Sequence, residues 1–212
     1  MLGNLNSMWY LCIVMRQDII LAGEELLNKQ NSENIWEGKT FESFHYLSAD
    51  YSGKAGEIAL YNFLKRTKEN GLHVWDIDYD GDSNANANDG TYDISIITGY
   101  RNRIGVKTAR LGKQGSFQHE NLHESVCDSE LLIDITPTSV YLTIISFNTY
   151  SLKDKHPIFE KTPHLRKNTE NNYKFDLQEK HLNKGVKSKI TLRLDEETTD
   201  VEVINFLSDF LD

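Results

Sequence analysis

Two early segments carry apolar residues at helical spacing. Between Gln17 and Lys29, Ile19, Ile20, Leu26 and Leu27 return to one side of a 3.6-residue period, which predicts a helix. Lys54 to Asn70 does the same with Ile58, Tyr61, Phe63 and Leu64, and Gly71 provides the stop. The period then shortens. His73 to Ile77, Tyr92 to Thr98 and Arg103 to Thr108 predict strands, with Gly99-Tyr100-Arg101-Asn102 as the turn between the last two. Gln118 to Ser125 reads as a short helix. Leu131 to Thr136 and Val140 to Phe147 are β-rich, and Pro137-Thr138-Ser139 between them marks a hairpin. Tyr150 to Lys189 is polar and irregular. Ile190 to Leu194 reads as a strand and Val201 to Leu211 as a closing amphipathic helix. This order predicts an α/β (α+β) protein with a mixed central sheet flanked by helices.

Composition keeps that picture and narrows the setting. The 212 residues are 39% hydrophobic and 26% charged, as expected of one ordinary globular domain spanning residues 1–212. Two cysteines, Cys12 and Cys127, exclude a disulfide scaffold and point to a reducing, cytoplasmic location. Mean hydropathy is -0.52. The apolar run Met8 to Met15 is too short to span a membrane and lacks the flanks of a signal peptide, and Met15 is an alternative start. Trp9, Trp36 and Trp75 read as core residues.

Charge is distributed in blocks. The net charge of -9 argues against a passive coat for nucleic acid. Yet Trp75 to Asp93 holds six aspartates and no base, whereas Ile94 to His119 holds Arg101, Arg103, Lys107, Arg110 and Lys113 and no acid. Ser151 to Arg193 carries eleven bases against five acids, and seven acids follow it. Carboxylates beside a basic stretch are what a metal-dependent phosphodiesterase requires: acids hold the cation and bases hold the phosphates. The C-terminal acids read as a solvated face.

Glu57 lies on the second helix, Asp93 opens a strand of a hairpin, and Lys107 lies on the return strand. Two carboxylates and a lysine converging there build a Mg²⁺ site, with the main-chain carbonyl of Val106 as a further oxygen ligand. The cation would polarise a phosphate and acidify a bound water, and the lysine would orient or deprotonate that water.

This arrangement, Glu57, Asp93 and Lys107 over residues 52–147, resembles the PD-(D/E)XK nuclease superfamily. The stretch Lys107 to Glu120 is similar to nuclease-like proteins of bacteria and their viruses. The resemblance implies a restriction-endonuclease-like fold and Mg²⁺-dependent cleavage of DNA, with Mn²⁺ as substitute. Glu57, Asp93 and Val106 would hold the metal. One position departs from the family. The acid two residues before the lysine is replaced by Gly105, which has no side chain to offer. Either Glu57 takes over, or Asp89 or Glu120 supplies the ligand, or the protein is a catalytically degraded DNA-binding relative.

Three further features compete or assist. His119-Glu120-Asn121-Leu122-His123 spells HExxH, which on a helix presents two imidazoles to Zn²⁺ with Glu120 as base, the alternative of a zinc metallopeptidase. The flanking residues do not suit a buried helix, and no third ligand is apparent. Asp76-Ile77-Asp78-Tyr79-Asp80-Gly81-Asp82 opens like a calcium loop, but its twelfth position is Ala87. In the basic region at 150–212, Arg166 and Lys167 would grip phosphates and Tyr173 would stack on a base. With Arg110, Lys113, Gln118 and His119 they form the expected DNA-binding set. A homodimer is expected, since cutting both strands needs two sites. A restriction, phage or defence setting fits.

Overall fold

The computed structural model describes residues 14–30, 38–79, 92–112, 115–124, 126–147, 151, 157–158, 164–165 and 172–211. Helices α1 (Val14–Gln30), α2 (Glu42–Tyr46) and α3 (Ala49–Glu69) come first. Strands β1 (Asp76–Tyr79), β2 (Ile94–Ile97), β3 (Arg101–Arg110), β4 (Ser116–His123), β5 (Ser129–Ile135), β6 (Val140–Ser146), β7 (His164–Leu165) and β8 (Asn172–Gln178) follow. The chain closes with α4 (Glu179–Lys187), β9 (Thr191–Leu194) and α5 (Asp200–Leu211). Six strands form one sheet in the order β1-β2-β3-β5-β6-β9, and β4, β8 and β7 form a second. The large sheet is mixed. Only the β3–β5 pairing is parallel, because the chain leaves through β4 before returning to β3's far side. The expectation of a mixed central sheet flanked by helices therefore holds. Among the described residues, no helix is long and apolar enough to cross a membrane.

Two hydrophobic clusters cover the two faces of this sheet. Ile104, Val106, Leu131, Ile133 and Leu142 pack with α1, α3 and α5. Ala109, Leu132, Tyr141 and Ile145 pack with Phe117, Phe175 and Leu177 of the small sheet and Leu182 of α4. Burial on both faces explains why every position of β5 and β6 is buried and why they lack alternation. Two acids nevertheless lie in β5, Glu130 and Asp134. Arg66 ties three helices together, reaching Asp200 at 2.7 Å and Asp18 at 3.3 Å. Trp75 is half-buried and stacks on His73 at 4.5 Å between ring centres. Trp9 and Trp36 lie outside the described residues.

Two expectations fail. Gln118 to His123, within the stretch expected to be a short helix, lies in strand β4. Its inward residues Phe117, His119 and Leu122 break the two-residue period, because a bulge at Asn121, at φ 60°, inserts an extra residue. That three-residue step imitates a helix. The region 150–189 is not simply irregular, since it holds β7, β8 and α4. In β8, Tyr173, Phe175 and Leu177 alternate inward between Lys174, Asp176 and Gln178, a strand signal hidden by charge.

Helix α3 approaches β3 closely at Gly56, where any Cβ would collide with the side chain of Thr108. Gly56→Ala is expected to destabilise the protein by about 1–3 kcal/mol through overpacking, outweighing alanine's better helix propensity. A urea unfolding midpoint unchanged or raised in the variant would contradict this.

Candidate active site

The edge shared by β2 and β3 opens at the start of β2. Ladder pairing begins at Ile94 opposite Ile104, so the next step along β3 has no strand residue across from it. Asp93 fills that gap. Its N–H donates to the Ile104 carbonyl at 3.1 Å, and its Oδ2 accepts from the Val106 N–H at 2.6 Å. A residue's N–H and carbonyl leave an extended strand on the same edge, so the Val106 carbonyl also faces this opening.

On β3, Gly105 and Lys107 point away from the α3 side. Lys107 is half-buried. The position across from Gly105 in the parallel ladder is Glu130. Its carboxylate lies over the glycine: a Cβ on Gly105 would sit 2.8 Å from Glu130 Cδ and 3.0 Å from Oε1. The neighbouring strand therefore delivers a carboxylate into the space that an acidic side chain at 105 would occupy. Glu130 is 1% exposed. Its Oε1 accepts from the His123 N–H at 3.3 Å and from the Cys127 thiol at 3.6 Å. Its Oε2 is buried without a partner among the described residues.

The charges of this cluster act on one another. Burial pushes the Glu130 carboxyl up to about 7, helped by Asp93 and opposed by Lys107 and the His123 N–H. Burial and Asp93 also raise Glu57, while Lys54, at 3.1 Å, and Lys107 pull it down. For Lys107, burial works against the charge, but Glu130, Asp93 and Glu57 outweigh it and raise its pKa. The raised pKa favours the ammonium form, which suits the stabilisation of negative charge.

Glu57, Asp93, Glu130 and the Val106 carbonyl are hard oxygen donors, and an orphaned buried carboxylate oxygen suits a hard cation. Among the described residues, no three acidic, imidazole or thiol side chains stand close enough together to hold a metal ion. A Mg²⁺ ion is ordinarily held by one or two carboxylates with water completing its shell, a demand that two of these carboxylates with the Val106 carbonyl would fit.

Other expected site residues lie elsewhere. His119 is 2% exposed and bonds through Nε2 to Asp134 Oδ1 at 2.8 Å, locking β4 onto β5, so it does not reach DNA. Burial raises the Asp134 carboxyl, and His119 opposes the shift. Tyr173 is 1% exposed and packs in the core between the sheets, where it cannot stack on a base. Arg110 Nη1 donates to the carbonyls of Phe44, at 2.8 Å, and His45. Gln118 is exposed. Lys113, Arg166, Lys167 and Asp89 lie outside the described residues.

The HExxH reading fails on geometry. It falls on a strand and not on a helix, His119 Nε2 is bonded to Asp134, and among the described residues no three such side chains stand together to hold a metal ion. Glu120 pairs with Lys174 at 2.7 Å and does not replace the missing acid. Of the calcium-like segment, Asp76 and Asp78 are exposed on β1 and paired with Lys68 and Arg101, and its remaining positions lie outside the described residues. Sequence reasoning missed Glu130 because it is 23 residues beyond Lys107. Its one signal was an acid at the head of the apolar run Leu131-Leu132-Ile133.

No protein-family model, curated protein or solved structure matches the chain.

Two expectations test this geometry. His119→Ala leaves Asp134 buried without its partner and should cost about 3–5 kcal/mol of stability, read from urea denaturation. A loss below about 1 kcal/mol would show that the pair does not lock the strands. Glu130 holds its proton to about 7 in the folded chain, against an ordinary value of 4.5. Its contribution to stability is therefore fullest below about pH 4.5 and declines as pH rises to about 7. Glu130→Gln should remove this decline, so the variant gains on wild type between those limits. Parallel pH–stability curves for the two proteins would refute the assignment.

Proposed function

We propose that this chain is a metal-dependent DNA endonuclease of the restriction-endonuclease-like kind. The observation that carries this reading is Glu130. Its carboxylate lies over Gly105, two residues before Lys107, in the space where a PD-(D/E)XK enzyme carries its second motif acid. The acid has moved from its own strand to the adjacent one, and the function need not have been lost with the side chain at 105. The sequence of elements supports the same fold: α3, a β2–β3 hairpin, and a further strand parallel to β3.

Asp93 and Glu130, with Glu57 and the Val106 carbonyl nearby, would hold Mg²⁺. When bound, the ion would polarise the scissile phosphate and lower the pKa of the attacking water. Asp93 is fixed for this task by the Val106 N–H, which orients its carboxylate. Lys107, protonated, sits where it can balance charge that accumulates on the phosphoryl oxygens. Glu130 must be ionised to bind the cation. Its raised pKa predicts that metal affinity falls as pH drops below about 7, and the bound cation would shift that limit downward. A homodimer would place two such sites on the two strands of a duplex.

The test is cleavage of plasmid and phage DNA in Mg²⁺ and Mn²⁺. Asp93→Ala, Lys107→Ala and Glu130→Gln should each lower the rate by about a hundredfold or more. Gly105→Glu alone should fail to improve cutting, because Glu130 already fills the space. Combining Gly105→Glu with Glu130→Gly returns the acid to β3 and should restore part of the activity lost in the Glu130→Gly single variant. Variants that cut like wild type would overturn the reading. DNA binding without cleavage by the wild-type protein would favour the non-catalytic relative.

A further inference from the structure

A cavity of about 480 Å³ opens beside the candidate active site. That volume is within the range of sites for small organic ligands. Its lining includes Ser52 of α3, Thr108, Ala109 and Arg110 of β3, Gln118 of β4 and Asp176 of β8. The two elements that carry Glu57 and Lys107 thus also form this cavity. Ser52 is five residues before Glu57 on its helix and Ala109 two residues beyond Lys107 on its strand. Both offsets amount to about 7 Å along the element.

The lining is polar in a particular way. Gln118 and Asp176 face each other as direct partners across the β4–β8 ladder, and both are exposed. They set an amide beside a carboxylate, a donor-and-acceptor pair of the type that reads a base edge. Arg110, anchored by the Phe44 carbonyl, lines the same cavity. An anion would meet that carboxylate, whereas a neutral ligand bearing both donors and acceptors would satisfy the whole set.

We infer that this cavity binds a single nucleobase of the substrate strand, drawn out of the stack next to the scissile phosphate. The inference rests on the nuclease reading for its ligand. It makes Gln118 and Asp176 the residues that choose the base.

The test titrates the intact protein with each of the four deoxynucleosides, and separately with inorganic phosphate, by ligand-observed NMR and calorimetry. At least one nucleoside should bind, and Gln118→Ala and Asp176→Asn should each weaken it by about tenfold or more. Both side chains are exposed, so unchanged thermal unfolding is expected to accompany the loss. No nucleoside binding, or binding of phosphate in its place, overturns the proposal. The two readings fail separately. Nucleoside binding that Gln118→Ala weakens, in a protein that never cuts DNA, would sink the nuclease and leave the pocket. Cutting whose base preference is unchanged in Gln118→Ala would sink the pocket and leave the nuclease.

Discussion

The parallel register of β3 against β5 places Glu130 opposite Gly105, and the candidate site depends on that one alignment. A parallel pair needs a crossover, and here the crossover is β4. The same excursion puts His119 over Asp134 and the His123 N–H on Glu130. A one-residue slip would turn both acids to the helical face of the sheet, into a layer of isoleucine, leucine and valine. The buried His119–Asp134 pair opposes that slip, since an unpaired carboxylate in this interior is costly. We read it as the device that holds register for the neighbouring acid.

Two of the glycines at close approaches, Gly56 and Gly105, provide space at the candidate site. Gly56 lets α3 lie against Thr108, which brings Glu57 to the sheet. Gly105 leaves room for the carboxylate of the adjacent strand. Taken alone, each glycine looks like a loss, one a weak point in a helix and the other an absent ligand. Taken with their neighbours, they are the positions that allow acids from three elements, α3, the start of β2 and β5, to surround one lysine. Burial raises the pKa of Glu130, and the carboxylates around Lys107 raise that of the lysine. Under the proposed function, a bound cation would relieve this arrangement by taking the place of the proton on the carboxylate.

Much of this was legible from residue order. Helix α3, the β2–β3 hairpin, the buried strands β5 and β6 and the closing helix all follow from apolar period and turn residues, which are local properties. Asp93 and Lys107 could be picked out as a pair because a hairpin brings them together within a short stretch. The sequence also carried misleading local signals. The HExxH string and the three-residue apolar step in β4 both imitate a helix, and the step arises from a bulge at Asn121. Tyr173 looked like a stacking residue because bases surround it, yet strand alternation turns it inward.

What residue order determined, then, was helices α1, α3 and α5, the strands of the large sheet, and the Asp93–Lys107 pair of the hairpin, because neighbours in the chain decide those. What only the tertiary structure decided was the second sheet, the burial of His119 and Tyr173, and the identity of the acid above Gly105. Those depend on which strand lies beside which. Strand pairing is set by the burial of both faces of the large sheet at once, and no short window of sequence contains that information.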